Sequence, residues 1–334
     1  MPVYNGERFI AEAIQSVLNQ TFTDFELVIV DDGSTDRTKD TLSKFTNPRI
    51  RVLTNTENIG SAASRTKAVI ESKGEYIAIL DADDRMYPTR LQKQVSFLDL
   101  HPRIDMLASW VRIIDEHGKP TGLILKDRIS TEKISATLLF HNIFACSSAM
   151  LRRSALPREP FRQSMMPVED VDLWLRMLTQ GSKFSILREI LTEYRSHTKG
   201  ISKIHANKRK GIMDKLIIGE LKKLGIEPAL EELELHRTNY DYVGDNPGLF
   251  LQKRERWLLK LKEANDERKN YPQKIFDEVL AERFLKSCRA NQKRTRDAWS
   301  LFWDSSLSSH LNTKEQCRDI AKFILEALVS RFRR

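Results

Sequence analysis

An alternation of short apolar segments with helical segments in the first quarter of the chain limits the possible folds most. "FELVIVDD", "RIRVLT" and "EYIAILDADD" have the length and β-branched content of strands. Around them, "ERFIAEAIQSVLNQ", "STDRTKDTLSKF" and "GSAASRTKAVIESKG" have helical spacing, with Ser34 and Thr35 as expected N-caps of the second helix. Strands that are apolar on both faces suit a covered parallel sheet. The alternation therefore predicts an α/β layer fold of right-handed βαβ units, whose ligands bind at the carboxyl ends of the strands.

Acidic residues stand where two of these strands end. Asp31 and Asp32 end the first strand, and Asp81, Asp83 and Asp84 end the third. Since the carboxyl ends of parallel strands meet at one edge of a sheet, we expect these carboxylates to converge, and unpaired they would repel one another. A single such pair is usually a solvated loop. Two acid-tipped strands in register favour a divalent cation that also binds substrate phosphates.

Two further classes of acidic site do not match the spacing of these runs. "VDDGSTD" lacks the spacing of a phosphotransferase nucleophile. "DADDRMYPTRLQ" starts like a calcium-binding EF-hand loop, but Met86 stands at the glycine position and Gln92 at the position of the last glutamate. Neither class of site is predicted.

Charge and periodicity change together near Ser202. The net charge of the 334-residue chain is +9, but the residues up to Gly200 carry 27 basic against 26 acidic side chains. Almost all the excess basic charge therefore lies in the last part, where stretches such as "KIFDEVLAERFLKSC" have helical spacing. We predict two domains, an α/β domain at residues 1–202 and a basic α-helical region at residues 203–334.

The cysteines and the hydropathy indicate a cytoplasmic protein. Cys146, Cys288 and Cys317 lie far apart and form no metal-binding or disulfide pattern. No apolar run approaches the roughly 18 residues that span a bilayer, and the N-terminus lacks the order of a signal peptide.

Several motifs agree in order and spacing with one known family. "MPVYNGERFIAEAIQSVLNQTFTDFELVIVDDGSTDRT", "NIGSAASRTKAVIESKGEYIAILDADD", "VEDVDLWLRM" and "YRSHTKGIS" resemble the family 2 glycosyltransferases with a GT-A fold. The resemblance covers roughly Met1 to Ser202. It implies an inverting enzyme that moves a sugar from a nucleotide-diphosphate donor, a UDP-sugar, to a hydroxyl of a saccharide or lipid-linked acceptor in cell-surface polysaccharide synthesis.

The resemblance also implies which residues bind the donor. In the "PVYN" segment, Tyr4 is similar to the aromatic residue that packs on uracil, with Pro2 shaping the turn and Asn5 beside it. The other expected nucleotide-sugar contacts are Asp32 at the base, Asp81 near the ribose, Arg65 beside the base and diphosphate, and Arg195 at the diphosphate. At the position after Arg65 the family usually has Asn, whereas this chain has Thr66.

Metal and catalytic residues follow from the same resemblance. Asp83 is similar to the acid that binds Mn²⁺ or Mg²⁺, with His197 as a second expected ligand and Asp84 as a supporting acid or a helix N-cap. A cation suits this reaction because it stabilises the departing diphosphate as a Lewis acid. Asp170 in "VEDVDLWLRM" is the expected general base, which takes the proton of the acceptor hydroxyl on the opposite face of the sugar. Glu169 is expected to contact acceptor or sugar.

Trp174 and Leu175, behind these acids on the predicted helix, are expected in the core. The C-terminal segment "TKEQCRDIAKFILEALVSRFRR" has an apolar face with basic residues at its end, which suits helix packing or contact with an anionic membrane surface at the inner leaflet.

Two alternative functions stay open from sequence alone: a catalytically impaired GT-A fragment, or a basic helical protein that binds nucleic acid or a membrane surface. We expect no nucleic acid partner, since the basic helices also carry many acids. Family members normally begin with an apolar strand before this motif, which is almost absent here. We therefore expect an upstream start or a decayed fragment, with apolar strand edges left unpaired.

Overall fold

The computed structural model describes residues 1–198, 206–238, 240, 242, 244–295, 297–312, 316–317 and 319–324. The chain forms two compact units, Met1–Ile134 with Asn142–Met213, and Ser135–His141 with Asp214–Arg334. The predicted domain boundary at Ser202 lies outside the described residues and stays a prediction. The assignment of Ser135–His141 to the second unit had no signal in the sequence.

Within the described residues, the first unit contains nine strands and most of the helices that flank them. Its strands are β1 (Pro2–Val3), β2 (Leu27–Asp31), β3 (Ile50–Thr54), β4 (Tyr76–Ala78), β5 (Arg85–Met86), β6 (Met106–Ile114), β7 (Pro120–Leu125), β8 (Met150–Arg152) and β9 (Phe184–Arg195). Its helices are α1 (Ile10–Leu18), α2 (Thr38–Leu42), α3 (Ser61–Glu71), α4 (Arg90–Leu100) and α6 (Glu169–Thr179), while α5 (Ile134–Leu138) begins at its edge.

The strands form two sheets. β1, β2 and β3 are parallel, as the sequence predicts, and all five residues of β2 are buried. The second sheet has the order β4-β8-β6-β9-β5, with β7 on β6, and only its β6–β9 pair is parallel. The predicted α/β alternation is confirmed. The prediction that the third strand joins the parallel sheet is wrong, because β4 lies in the second sheet and pairs antiparallel with β8.

The helices form where the apolar spacing predicts them. On α1 the residues Ile10, Ala13, Ile14 and Val17 are buried against the core. The predicted start of α2 is wrong by about one turn: Ser34 and Thr35 do not cap it. The helix begins at Thr38 with Arg37 at its N-cap and no side-chain cap bond, while Asp36 Oδ1 accepts a hydrogen bond from the Thr38 backbone N–H at 3.0 Å. Several residues near this point are good caps by type, so the pattern alone does not fix the first turn.

An apolar cavity of about 730 Å³ separates the two sheets. Leu27 and Val28 of β2 line one side, and the residues of β4 line the other. No strand pairing joins β2 to β4 in the described part of the chain. The cavity therefore lies where the sequence predicts unpaired apolar edges.

The second unit is helical. It contains the end of α5, most of α7 (Ala206–Lys223), and α8 (Leu230–Arg237), α9 (Pro247–Arg268), α10 (Gln273–Asn291) and α11 (Ala298–Asp304). Its core is aromatic and aliphatic, with Trp257, Leu261, Phe276, Phe284 and Phe302 almost fully buried. Ala327 and Leu328, on the apolar face of the C-terminal segment, lie outside the described residues. Within those residues, no helix combines the length and the apolarity needed to cross a bilayer.

Candidate active site

The carboxylates at the end of β2 hold loops in place. Asp32 is buried; its carboxylate accepts hydrogen bonds from Asn55 Nδ2 at 2.8 Å and from the backbone N–H groups of Ile59 at 3.0 Å and Gly60 at 2.9 Å. Gly60 has φ 96°, a backbone conformation that favours glycine. Asp32 thereby shapes the entry to α3, and its expected contact with the nucleotide base stays a prediction.

The segment after β1 offers one free aromatic ring. Tyr4 is 48% exposed, although large aromatic side chains tend to be buried. Asn5 follows it at φ 49°, and its Oδ1 accepts a hydrogen bond from the Thr35 backbone N–H at 2.8 Å. Asn5 also donates its backbone N–H to Ser34 Oγ at 3.0 Å. These bonds fix the turn that follows β1, in which Pro2 pairs with Val30, and they leave the Tyr4 ring at the surface. The expected contacts of Pro2, Tyr4 and Asn5 with the nucleotide stay predictions.

Arg65 connects the acids of "DADD" with the acids of "VED". Its Nη2 donates to Asp81 Oδ1 at 2.7 Å and its Nη1 donates to Glu169 Oε1 at 2.8 Å. The guanidinium packs on the ring of Phe161, and its Nε is buried with no hydrogen-bond partner. Burial would lower the pKa of Arg65, but the carboxylates of Asp81 and Glu169 outweigh burial and raise it further. A permanently charged arginine therefore joins the end of β4 to the start of α6.

Asp83 and His197 lie in hydrogen-bond contact. His197 Nε2 is 2.9 Å from Asp83 Oδ2, and the imidazole packs 5.1 Å from the Phe9 ring. Two adjacent ligands of an octahedral cation at about 2.1 Å stand roughly 3.0 Å apart. The pair therefore fits Mg²⁺ or Mn²⁺ as neighbouring ligands. No group of three or more potential ligands exists among the residues that the structure describes, so the remaining positions would fall to donor phosphates and water.

Asp84 and Arg195 are buried neighbours of Asp83. Asp84 is 1% exposed and accepts the Arg195 backbone N–H at 2.8 Å, whereas α4 begins only at Arg90. Asp84 is therefore not the N-cap of α4, and its expected role as a supporting acid stays a prediction. The Arg195 guanidinium is buried: its Nε donates to the Asp83 carbonyl and its Nη2 to Glu12, each at 2.8 Å. The geometry favours Arg195 as a positioning residue, and its expected contact with diphosphate stays a prediction.

Asp170 lies at the start of α6 in a setting unlike that of Glu169. Its carboxylate accepts the Val171 backbone N–H at 2.8 Å and the Asn142 amide at 3.2 Å. Burial and the neighbouring Glu169 carboxylate raise the pKa of Asp170 to about 6. Glu169 instead pairs with Arg65. Two adjacent carboxylates with different partners suit two different tasks, proton transfer and positioning.

Sequence reasoning missed several residues of this site. Asn142 holds Asp170, and Ser147 Oγ accepts the Asp81 backbone N–H at 3.1 Å. Both lie in "HNIFACSSAM", a loop that carries no motif. Glu12, on α1, pairs with Arg195.

The apolar residues behind the acids on α6 differ in burial. Trp174 is fully buried, which confirms its expected place in the core. Leu175 is only half-buried, so the expectation of a core position was too strong for it. Consecutive residues of a helix point about 100° apart, so the two side chains cannot face the core equally.

Comparisons with known proteins identify relatives of this chain. The family model described as "Glycosyl transferase family 2" matches residues 1–158. An uncharacterised glycosyltransferase of Methanocaldococcus jannaschii is 34% identical over 199 residues, which are 58% of this chain and 69% of that protein.

A second similar protein is the Escherichia coli "UDP-Glc:alpha-D-GlcNAc-diphosphoundecaprenol beta-1,3-glucosyltransferase WfgD". It is 32% identical over 204 residues, which are 60% of this chain and 78% of that protein. Among solved structures, residues 1–349 of S. aureus TarS superpose with a TM-score of 0.53 at 17% identity, covering 95% of this chain and 90% of that one. This likeness concerns the fold, and it supports the predicted GT-A architecture.

Proposed function

The chain belongs to glycosyl transferase family 2 and is a glycosyltransferase with a GT-A fold, and on this premise we propose that it transfers the sugar with inversion of the configuration at the anomeric carbon. The proposed donor is a UDP-sugar, and the proposed acceptor is a hydroxyl of a saccharide or lipid-linked saccharide at the cytoplasmic face of the membrane. The observation that carries the proposal is the Arg65 bridge from Asp81 to Glu169. It joins the donor side of the site to the acid pair that would face the acceptor.

Asp170 is the proposed general base. In an in-line displacement a carboxylate must take the proton of the attacking hydroxyl on the face opposite the leaving group. A carboxyl whose pKa is raised to about 6 is mostly ionised at neutral pH, yet it is more basic than an ordinary aspartate. Asn142 binds its Oδ2 and the Val171 backbone N–H binds its Oδ1, and each oxygen keeps a second lone pair that can accept the proton. Glu169, fixed by Arg65, would orient the sugar or the acceptor.

Asp83 and His197 are the proposed holders of Mn²⁺ or Mg²⁺. Bound there, the cation would supply Lewis-acid stabilisation of the departing diphosphate. This chain's own residues orient the pair: Arg195 binds the Asp83 carbonyl, and Phe9 packs on the His197 ring. The exposed Tyr4 ring, directly after β1, supports stacking of the uracil base.

The choice of donor and acceptor rests on relatives. WfgD is named for UDP-glucose and an undecaprenol diphosphate-linked N-acetylglucosamine, and TarS has been solved with UDP-GlcNAc at a TM-score of 0.52 to this chain. A second E. coli enzyme, the O-antigen biosynthesis glycosyltransferase WbnJ, is 31% identical over 209 residues. These names support a place in surface polysaccharide synthesis.

Two substitutions test the proposed division of labour. Asp83→Asn should weaken UDP binding in Mn²⁺ and abolish transfer, because it removes a cation ligand. Asp170→Asn should keep metal-dependent UDP binding and lose turnover by about 10² to 10⁴, the usual contribution of a positioned base. Calorimetry with UDP and a transfer assay measure both effects, and a chelator should remove UDP binding. Loss of UDP binding in Asp170→Asn would instead assign Asp170 to the donor site, and full turnover in that variant would move the base to another acid.

A further inference from the structure

The acidic turn after β4, residues 81–84, needs contacts from outside it to keep its shape. Asp81, Asp83 and Asp84 stand within four residues, and neighbouring carboxylates repel one another. Inside the turn, the Asp84 backbone N–H donates to the Asp81 carbonyl at 3.2 Å, at the long end of the range for such bonds. Arg195 contributes one set of outside contacts, to the Asp83 carbonyl and the Asp84 carboxylate. A second set comes from the loop that contains Ser147.

Ser147 contacts both ends of the acidic turn. The residue is 1% exposed, and its Oγ accepts the Asp81 backbone N–H at 3.1 Å. The same hydroxyl also interacts with the Asp84 carboxylate. Since a hydroxyl can accept one hydrogen bond while it donates another, one buried side chain serves the first and the last residue of the turn. Asp83, the proposed cation ligand, lies between them.

A buried glutamine holds the loop that carries Ser147. Gln94 of α4 is 0% exposed, and its Nε2 donates to the Ser148 carbonyl at 2.9 Å and to the Leu107 carbonyl of β6 at 3.0 Å. The amide therefore ties the backbone next to Ser147 to a strand of the second sheet. Because a buried polar group that loses its partner is costly, both bonds should persist in the folded state.

Arg90, one helical turn before Gln94 on α4, fixes the loop and the end of β4 together. Its Nη2 donates to the Ala149 carbonyl at 3.1 Å and to the Ile79 carbonyl at 3.0 Å. The first carbonyl belongs to the loop, and the second follows β4 directly, two residues before the acidic turn. The Arg90 Nε donates to Gln94 Oε1 at 2.9 Å, so the two buried side chains also hold each other.

We propose that Ser147 is a positioning residue for the cation ligand Asp83, and that Gln94 and Arg90 hold Ser147 in place. The proposal rests on the proposed function, in which Asp83 binds Mn²⁺ or Mg²⁺. Ser147 contacts residues before and after Asp83, so its loss should let the turn relax and move the Asp83 carboxylate relative to His197. Removing a group that orients metal ligands typically weakens metal binding about 10- to 100-fold.

Alanine at two neighbouring serines tests the proposal. Ser148 is also fully buried, but its Oγ donates to the Ala145 carbonyl at 2.8 Å, within the loop. Ser147→Ala should raise the Mn²⁺ concentration that gives half-maximal UDP binding about tenfold in calorimetry. Ser148→Ala should leave that concentration unchanged. Each variant removes a buried hydrogen bond, so both should melt roughly 2–4 °C lower than the parent.

Gln94→Met tests the support of Ser147. It removes both bonds of the amide and should raise the same Mn²⁺ concentration. Because it acts through Ser147, the double variant Ser147→Ala/Gln94→Met should need no more Mn²⁺ than the more impaired single variant. Gln20→Met is the matched control: Gln20 is buried, and its Nε2 donates to the carbonyls of Ser16 and Tyr87, neither of which belongs to the loop. It should lower the melting temperature and leave the Mn²⁺ dependence unchanged.

Unchanged Mn²⁺ dependence in Ser147→Ala, or an equal loss in Ser148→Ala, would overturn the role of Ser147. Additive losses in the double variant would overturn the link from Gln94 to Ser147. Asp83→Asn separates this inference from the proposed function. If Asp83→Asn abolishes Mn²⁺-dependent UDP binding while Ser147→Ala keeps it in full, only the positioning role is wrong. If Asp83→Asn keeps it too, the proposed metal site is wrong, and the positioning role is wrong with it.

Discussion

Replacing Asp170 by Asn should stabilise the protein at alkaline pH while it removes the proposed base. Burial and Glu169 raise the pKa of the Asp170 carboxyl from 3.8 to about 6, so the folded state disfavours the ionised form. An acid whose pKa is raised on folding contributes stability that is fully present below its unfolded pKa. That contribution is lost as the pH rises through the folded pKa. An uncharged asparagine does not lose that stability.

The size of the effect follows from the pKa. The rise from 3.8 to about 6, at about 1.4 kcal/mol for each unit, costs the folded state at most about 3 kcal/mol above pH 6. Asp170 is only half-buried, so solvent screening should reduce this to about 1–3 kcal/mol. At pH 4 the same relation leaves a cost to the folded state of about 0.6 kcal/mol or less. The stabilisation by Asp170→Asn should therefore appear between pH 4 and pH 7.

Thermal unfolding of the parent and of Asp170→Asn at pH 4 and pH 8 measures this difference. Asp172→Asn is the matched control on the same helix. Asp172 is also buried, but it pairs with Arg176 at 2.8 Å, so its replacement should lower stability at pH 8. If Asp170→Asn melts lower than the parent at pH 8, or if its gain is equal at pH 4 and pH 8, the assigned raised pKa is wrong.

Three other substitutions test how the site is held together. Asn142→Ala removes a donor to the Asp170 carboxylate, so the pKa of Asp170 should rise and the acid limb of the pH profile of kcat/KM should move up by roughly half a unit to one unit. An unshifted limb would exclude this role. Arg65→Met leaves two acids without their cation and should lower the free energy of unfolding by about 3–5 kcal/mol, measured by urea denaturation; a change within about 1 kcal/mol would contradict the bridge. Arg195→Met frees the Asp83 carbonyl and should weaken Mn²⁺ binding about 10- to 100-fold in calorimetry. Unchanged metal affinity with lost activity would give Arg195 the diphosphate contact instead.

The sequence could predict much of the fold because apolar periodicity is local. The apolar face of α1 and the fully buried β2 follow from spacing alone. Strand pairing depends on residues far apart in sequence, so the antiparallel pairs of the second sheet were not predictable from any one segment. The start of α2 was misplaced because several residues near it are good caps by type, whereas the helix begins after Arg37, which forms no side-chain cap bond.

For the site, the sequence by itself determined the types of residue. Asp81 and Asp83 were identifiable because acids directly follow an apolar strand. Their expected convergence with the acids after β2 stays a prediction, since β2 and β4 lie in different sheets. Only the tertiary structure decided which side chains pair: that Arg65 binds both Asp81 and Glu169, and that the expected phosphate ligand Arg195 is buried behind Asp83. The physical reason is that a side chain's partners, burial and pKa depend on groups brought together by folding, and spacing along the chain does not encode them.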